Sequence, residues 1–191
     1  MKTVILILAA GSSSRMGEPK QLLPFKNTTL LGNAIEQAKN SKSNAVFCVL
    51  GANEEIIKKS IENYKIETIF NPNFKNGLSS SIVAGIHHLS TKNFDSVLIM
   101  LADQPSVNSE YLNNLIKTSI NNPSKITASN YQNKMGVPAI FPKSYFQKLL
   151  NLKGDKGAKV LLNENHSEII KMNPFNLTDI DTKEDYQNLK T

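Results

Sequence analysis

The stretch Thr3-Val4-Ile5-Leu6-Ile7-Leu8-Ala9-Ala10-Gly11-Ser12-Ser13-Ser14-Arg15-Met16-Gly17-Glu18-Pro19-Lys20 decides the fold. Thr3–Ala9 is a short apolar run closed by a glycine–serine cluster, and it reads as a first strand. A secretory leader would need a stronger charged start, and here the run ends in a glycine loop followed by further patterned sequence. The loop that follows carries three serines, one arginine and one lysine. Backbone N–H groups at a strand exit, three hydroxyls and two cations are ingredients for holding phosphates. Its spacing fits neither common template. Gly11 and Gly17 lie six apart with Glu18 after the second, which breaks the Walker pattern, and Ser13 stands where a dinucleotide loop needs glycine. From the loop alone, a solvated turn remains the other reading.

Outward from this stretch, apolar runs alternate with helical patterns. Leu31, Ala34, Ile35 and Ala38 mark a helix face, and Ala45–Leu50 reads as a second strand. Asn53 is placed to cap a helix running to about Ile61. Ile66–Phe70 is a third strand, and Ser79 or Ser80 is expected to cap a helix with Ile82, Ile86 and Leu89 on one face. Ser96–Leu101, five of its six residues apolar, is a fourth strand expected at the centre of the sheet. Asn108 or Ser109 opens a helix with Leu112, Leu115, Ile116 and Ile120 on one face. This alternation predicts an α/β fold, an open and mostly parallel sheet with helices on both faces. Beyond residue 121 the rhythm changes. Lys125–Asn130 and Val137–Phe141 read as an antiparallel pair, followed by short helices, a strand at Glu168–Met172 and a closing helix from about Lys183. One domain is expected over 1–191, with a change of pattern near residue 121.

Composition narrows the function. The net charge of +6 is spread as lysines without a basic block, which argues against nucleic acid and leaves phosphate-bearing small molecules open. Among 22 lysines and arginines the only arginine is Arg15, inside the glycine–serine loop, where a planar fork suits bidentate phosphate contact. The single cysteine, Cys48, excludes a disulfide framework and lies in an apolar run. No segment has the ~18 apolar residues of a membrane span, and a reducing cytoplasm is the expected location.

In open α/β sheets, ligands bind beyond the carboxyl ends of the strands. Asp103, in Leu101-Ala102-Asp103-Gln104-Pro105, stands there, either as a Mg²⁺ ligand or as a turn aspartate. In Asp179-Ile180-Asp181-Thr182, alternation puts both aspartates on one side with Ile180 inward. One of them could join Asp103 at a metal, and Asp181 could equally cap the last helix. Gly77-Leu78-Ser79-Ser80-Ser81 either contacts a base or ribose or caps its helix. His87, His88 and His166 form no recognisable catalytic arrangement.

Taken together, these stretches resemble the molybdenum cofactor nucleotidyltransferases, most closely the cytidylyltransferase branch. The resemblance rests on Leu8-Ala9-Ala10-Gly11-x-Ser13-x-Arg15-Met16-Gly17-x-x-Lys20, Asn71-Pro72 with Gly77 to Ser81, and Asp103-Gln104-Pro105. It continues through Gly136-x-Pro138, Gly154-Asp155-x-Gly157-Ala158 and Asp179 to Tyr186, nearly the whole chain in order. Lys159, where the pattern often has arginine, is a departure. The resemblance implies a Rossmann-like, three-layer fold of the nucleotide-diphospho-sugar-transferase type. It implies transfer of a nucleoside monophosphate from an NTP to the terminal phosphate of a molybdopterin-type acceptor, releasing pyrophosphate. Ala10, where guanylyl-transferring relatives carry glycine, favours CTP. The implied nucleotide contacts are Leu8, Ala9, Ala10, Gly11, Ser12, Ser13, Arg15, Lys20, Gly77, Ser79 and Ser80. Arg15, Lys20 and Asp103 are the implied catalytic residues, with Mg²⁺ on Asp103 and Asp181. A monomer that hands its product to a molybdenum hydroxylase is the expected partner pattern, with no membrane or nucleic-acid partner. The alternatives are another nucleotidyl transfer within the superfamily and a non-catalytic cofactor carrier.

Overall fold

The computed structural model describes residues 1–13, 16–131, 134–164, 168–173, 179–180 and 182–190. In chain order the elements are β1 (Thr3–Ala9), β2 (Pro24–Phe25), β3 (Thr28–Thr29), α1 (Leu30–Lys39), β4 (Ala45–Leu50), α2 (Glu54–Ser60), β5 (Glu67–Phe70), α3 (Leu78–Ser90) and β6 (Ser96–Leu101). They continue with α4 (Ser109–Asn121), β7 (Ile126–Tyr131), β8 (Lys134–Pro142), α5 (Phe146–Leu150), α6 (Lys159–Glu164), β9 (Ile169–Met172) and α7 (Lys183–Lys190). The main sheet has the order β5-β4-β1-β6-β8-β7-β9. Only β8 runs against its neighbours, so the sheet is mostly parallel and β6 lies at its centre. The antiparallel pair of the C-terminal half is therefore built into this sheet, while β2 and β3 form a separate two-stranded ribbon.

All seven residues of β1 are buried, and their alternation divides the core into two. Val4, Leu6 and Leu8 join Ile82, Ile86 and Leu89 of α3 and residues of α5 and α6. Ile5, Ile7 and Ala9 join Leu31, Ala34 and Ile35 of α1, with residues of α2 and α4. Period-two burial on a strand and 3.6-residue stripes on helices thus produce three layers. Each fully buried Leu or Ile contributes roughly 1.5–3 kcal/mol. Among the described residues, no helix is long and apolar enough to cross a membrane.

Several local expectations are corrected. Asn53 precedes α2 in the left-handed region at φ 57 and makes no side-chain cap. Gly77, not Ser79 or Ser80, is the residue before α3, and both serines lie in its first turn. Ile120 is 48% exposed, because α4 turns its last apolar position away from the sheet. Before α7, Thr182 Oγ1 accepts from Asp185 N–H and the Asp185 carboxylate accepts from Thr182 N–H. This reciprocal capping box makes Thr182 a cap of α7, while Asp181, the expected cap, lies outside the described residues.

Candidate active site

β1 and β6 pair in parallel, Leu8 opposite Leu101, so the loops that follow them leave the sheet at the same end. The chain passes from β1 to β4 on one side, while β6 lies on the other. Connections that diverge around one strand leave a crevice at its carboxyl end. That crevice is a cleft of about 720 Å³, lined by the exit of β1, the start of α3 and the turn after β6.

The loop after β1 is held by its own side chains. Gln21, almost fully buried, donates through Nε2 to Ala9 O at 3.0 Å and Gly11 O at 2.9 Å. Ser13 Oγ donates to Gln21 Oε1 at 3.2 Å and accepts from Lys20 N–H at 3.0 Å. Ser13 itself has φ 53, a left-handed backbone that costs a non-glycine residue about 1–3 kcal/mol. Strain of this kind persists only where the surroundings enforce it, as Gln21 does here. Met16 packs with Leu23, Leu30 and Ile180, which ties the base of the loop to the C-terminal segment.

Lys20 Nζ pairs with the Asp103 carboxylate through Oδ2 and donates to Ile180 O at 3.2 Å. Asp103 is 7% exposed, and its other oxygen, Oδ1, is buried without a hydrogen-bond partner among the described residues. Burial pushes its carboxyl above the usual carboxylate range, and the Lys20 ammonium pulls the other way. On the opposite wall, Gly77 has φ +92, and a Cβ there would meet the Asp155 carboxylate and the Gly154 carbonyl. Only glycine allows this approach, which lets Ser79 N–H donate to Gly154 O at 3.1 Å.

The residues expected to bind nucleotide divide accordingly. Leu8, Ala9, Ala10, Gly11, Ser12, Lys20 and Gly77 line the cleft. Ser13 uses its hydroxyl to brace the loop, and Ser79, 1% exposed, donates its hydroxyl to Lys153 O at 3.2 Å. Ser80 donates to Gly77 O at 2.8 Å and lines a neighbouring groove, so Ser81 is the α3 serine on the cleft. Arg15 and Asp181 lie outside the described residues. Asp179 accepts from Gln104 Nε2 at 2.8 Å. His87 and His88 line the neighbouring groove, and the Nε2 of His88 stands 2.5 Å from Glu67 Oε1.

The sequence reading gave no role to Gln21, Phe74 or Lys75, and it quoted Gln104 and Asp155 only as members of motifs. Gln21 carried one available signal: it is a polar residue abutting the apolar pair Leu22-Leu23, next to a loop that needs bracing.

A three-layer α/β sheet whose strand ends hold a braced glycine–serine loop against a lysine–aspartate pair defines a nucleotide-binding protein of the transferase class. The chain belongs to the MobA-like NTP transferase family, whose domain model matches residues 5–169. Two relatives are a protein called nicotine blue oxidoreductase from Paenarthrobacter nicotinovorans and the molybdenum cofactor cytidylyltransferase of Escherichia coli K12. The first is 29% identical over 83% of this chain and 80% of its own; the second is 31% identical over 46% and 45%. Among solved structures, Rv0371c of Mycobacterium tuberculosis H37Rv in complex with manganese superposes with a TM-score of 0.81. It is 25% identical and covers 99% of this chain and 98% of its own.

Proposed function

We propose that this protein transfers CMP from CTP to the terminal phosphate of a molybdopterin-type acceptor, with release of pyrophosphate. The observation that carries the reading is the Lys20–Asp103 pair on the wall of a nucleotide-sized cleft at the strand ends. Support for the acceptor comes from the cytidylyltransferase relative and from motif order along the chain.

The residues present fit a divalent cation. Asp103 offers a hard carboxylate donor, and its Oδ1 is a buried oxygen that no donor among the described residues uses. Among the described residues no three His, Cys, Asp or Glu side chains cluster as a cage. That is the donor set Mg²⁺ favours, since it completes its shell with substrate phosphates and water. Asp103 and Asp181 are the residues proposed to hold it, and when bound it neutralises phosphate charge and polarises the α-phosphoryl group.

The chain's own groups do the rest. N–H groups of the braced loop at Ala10 to Ser12 face the phosphates, and Arg15 is proposed to clamp them. Lys20 follows the charge that grows around the α-phosphorus. An oxygen of the acceptor phosphate forms the new bond to the α-phosphorus as the bond to the β-phosphate oxygen breaks. A phosphate nucleophile is ionised at neutral pH, so no side-chain base is required, in keeping with His87 and His88 lying off the cleft. Catalysis is then positioning plus electrostatic stabilisation.

The test is a pyrophosphate-release panel with CTP, GTP and ATP, each with and without molybdopterin. Release that needs both CTP and molybdopterin supports the proposal. Release with GTP alone assigns guanylyl transfer, and binding without turnover assigns a carrier; either outcome contradicts it.

A further inference from the structure

A second cavity, of about 410 Å³, adjoins the nucleotide cleft and shares Leu8, Leu78 and Leu101 with it. Ile82, Ile99 and Met135 give it an apolar character, and Gln104, Tyr131 and Asp179 stand among its polar lining. Gln104 is only 2% exposed. Its Nε2 faces three acceptors: Tyr131 Oη at 2.9 Å, Val137 O at 3.1 Å and Asp179 Oδ1 at 2.8 Å. The Tyr131 hydroxyl gives its own proton to Val137 O, so it can only accept from Gln104. Turning the amide over would set Oε1 against three oxygens, one of them anionic. The network therefore fixes which end of the amide is which. It leaves Oε1 as a buried acceptor without a partner among the described residues, on a residue that lines the cavity.

Buried polar atoms are almost always satisfied, and an exception calls for a specific explanation. We infer that Gln104 is the specificity residue for the acceptor: its Oε1 takes a hydrogen bond from a ring N–H, and Asp179, held beside it by Nε2, takes the adjacent one. Two neighbouring acceptors in an apolar cavity select a planar nitrogen heterocycle with a cyclic guanidine-type edge, an amino group next to a ring N–H. A ring with a carbonyl at that edge meets two acceptors and is rejected. Oε1 is closed to solvent, so no water competes for it. A ligand reaches it only as a wall side chain yields, and Met135, Lys134 and Lys159 on that wall are long and flexible.

This inference rests on the transferase reading for the placing of the acceptor, and its test does not use the transfer reaction. The full chain is titrated by fluorescence with pterin, which carries the amino group, and with lumazine, which carries a carbonyl in its place. Wild type is expected to bind pterin at least about tenfold more tightly, and Gln104→Leu to lose that preference. Asp179→Asn, at an exposed position, is expected to narrow the preference while leaving the melting curve unchanged. It provides the same reading should Gln104→Leu unfold. Equal affinity of wild type for the two rings overturns the assignment, and so does a preference that survives both substitutions. A chain that prefers pterin yet transfers no nucleotide to molybdopterin contradicts the proposed reaction and upholds the role of Gln104.

Discussion

Lys20, in the loop that leaves β1, reaches the Asp103 carboxylate in the turn that leaves β6, and its ammonium also caps the Ile180 carbonyl at 3.2 Å. Three distant segments of the chain thus meet at one charge. The pair is largely buried, so removing one partner leaves the other uncompensated. Lys20→Met is expected to lower turnover by about 10²–10³-fold, the size of a lost transition-state charge contact. Steady-state kinetics at saturating CTP check it; a change confined to KM would show that Lys20 only binds.

Gln21 makes a separable prediction, because it braces the loop from behind. Gln21→Leu keeps the volume but frees the Ala9 and Gly11 carbonyls and the Ser13 hydroxyl. Leaving buried polar groups unpaired costs about 1–3 kcal/mol each. Urea unfolding should show the loss, together with a raised KM for nucleotide. A variant as stable as wild type would mean the loop does not depend on this brace.

Gly77 is predicted to tolerate no side chain. Gly77→Ala combines a φ of +92 with a collision against Asp155 and the Gly154 carbonyl. Backbone strain alone accounts for about 1–3 kcal/mol, and the clash adds to it. Denaturant midpoints decide the point, and Asp155→Gly in the same background should relieve part of the loss.

Cys48 supplies the pH prediction. Burial raises its thiol from 9.0 to about 12. A folded-state pKa above the unfolded one means that the native state holds its proton longer. The contribution is fully present below pH 9 and is lost as pH rises from about 9 towards 12, where the unfolded chain releases its proton first. Thiol-reagent kinetics at pH 8 should show almost no modification of native protein and prompt modification in denaturant. Rapid labelling of the native chain would contradict the burial.

The sheet was legible in the sequence because β1, β4 and β6 are apolar runs bounded by turn residues, and the strand-end rule set Lys20 and Asp103 at the same end of it, although their direct pairing appears only in the fold. The β2–β3 ribbon was not legible, since two-residue strands carry no periodicity. Helix starts were misread where serine crowded around Gly77: capping preference favours Ser79, but backbone geometry gives the position to the glycine with positive φ. Gln21 and Gln104 escaped because their roles depend on carbonyls and carboxylates brought together only by folding. Asp179 illustrates the same limit. Spacing set it beside Asp181, yet it is Gln104 that engages it, 75 residues away in sequence.

The central claim is that the cleft holds a metal–nucleotide complex on Asp103. Calorimetric titration of CTP into wild type and Asp103→Asn, with and without Mg²⁺, tests it directly. The account predicts binding that Mg²⁺ strengthens at least about tenfold in wild type, and no such response in the variant, as expected for a lost carboxylate ligand. Equal Mg²⁺ dependence in the two proteins would contradict it.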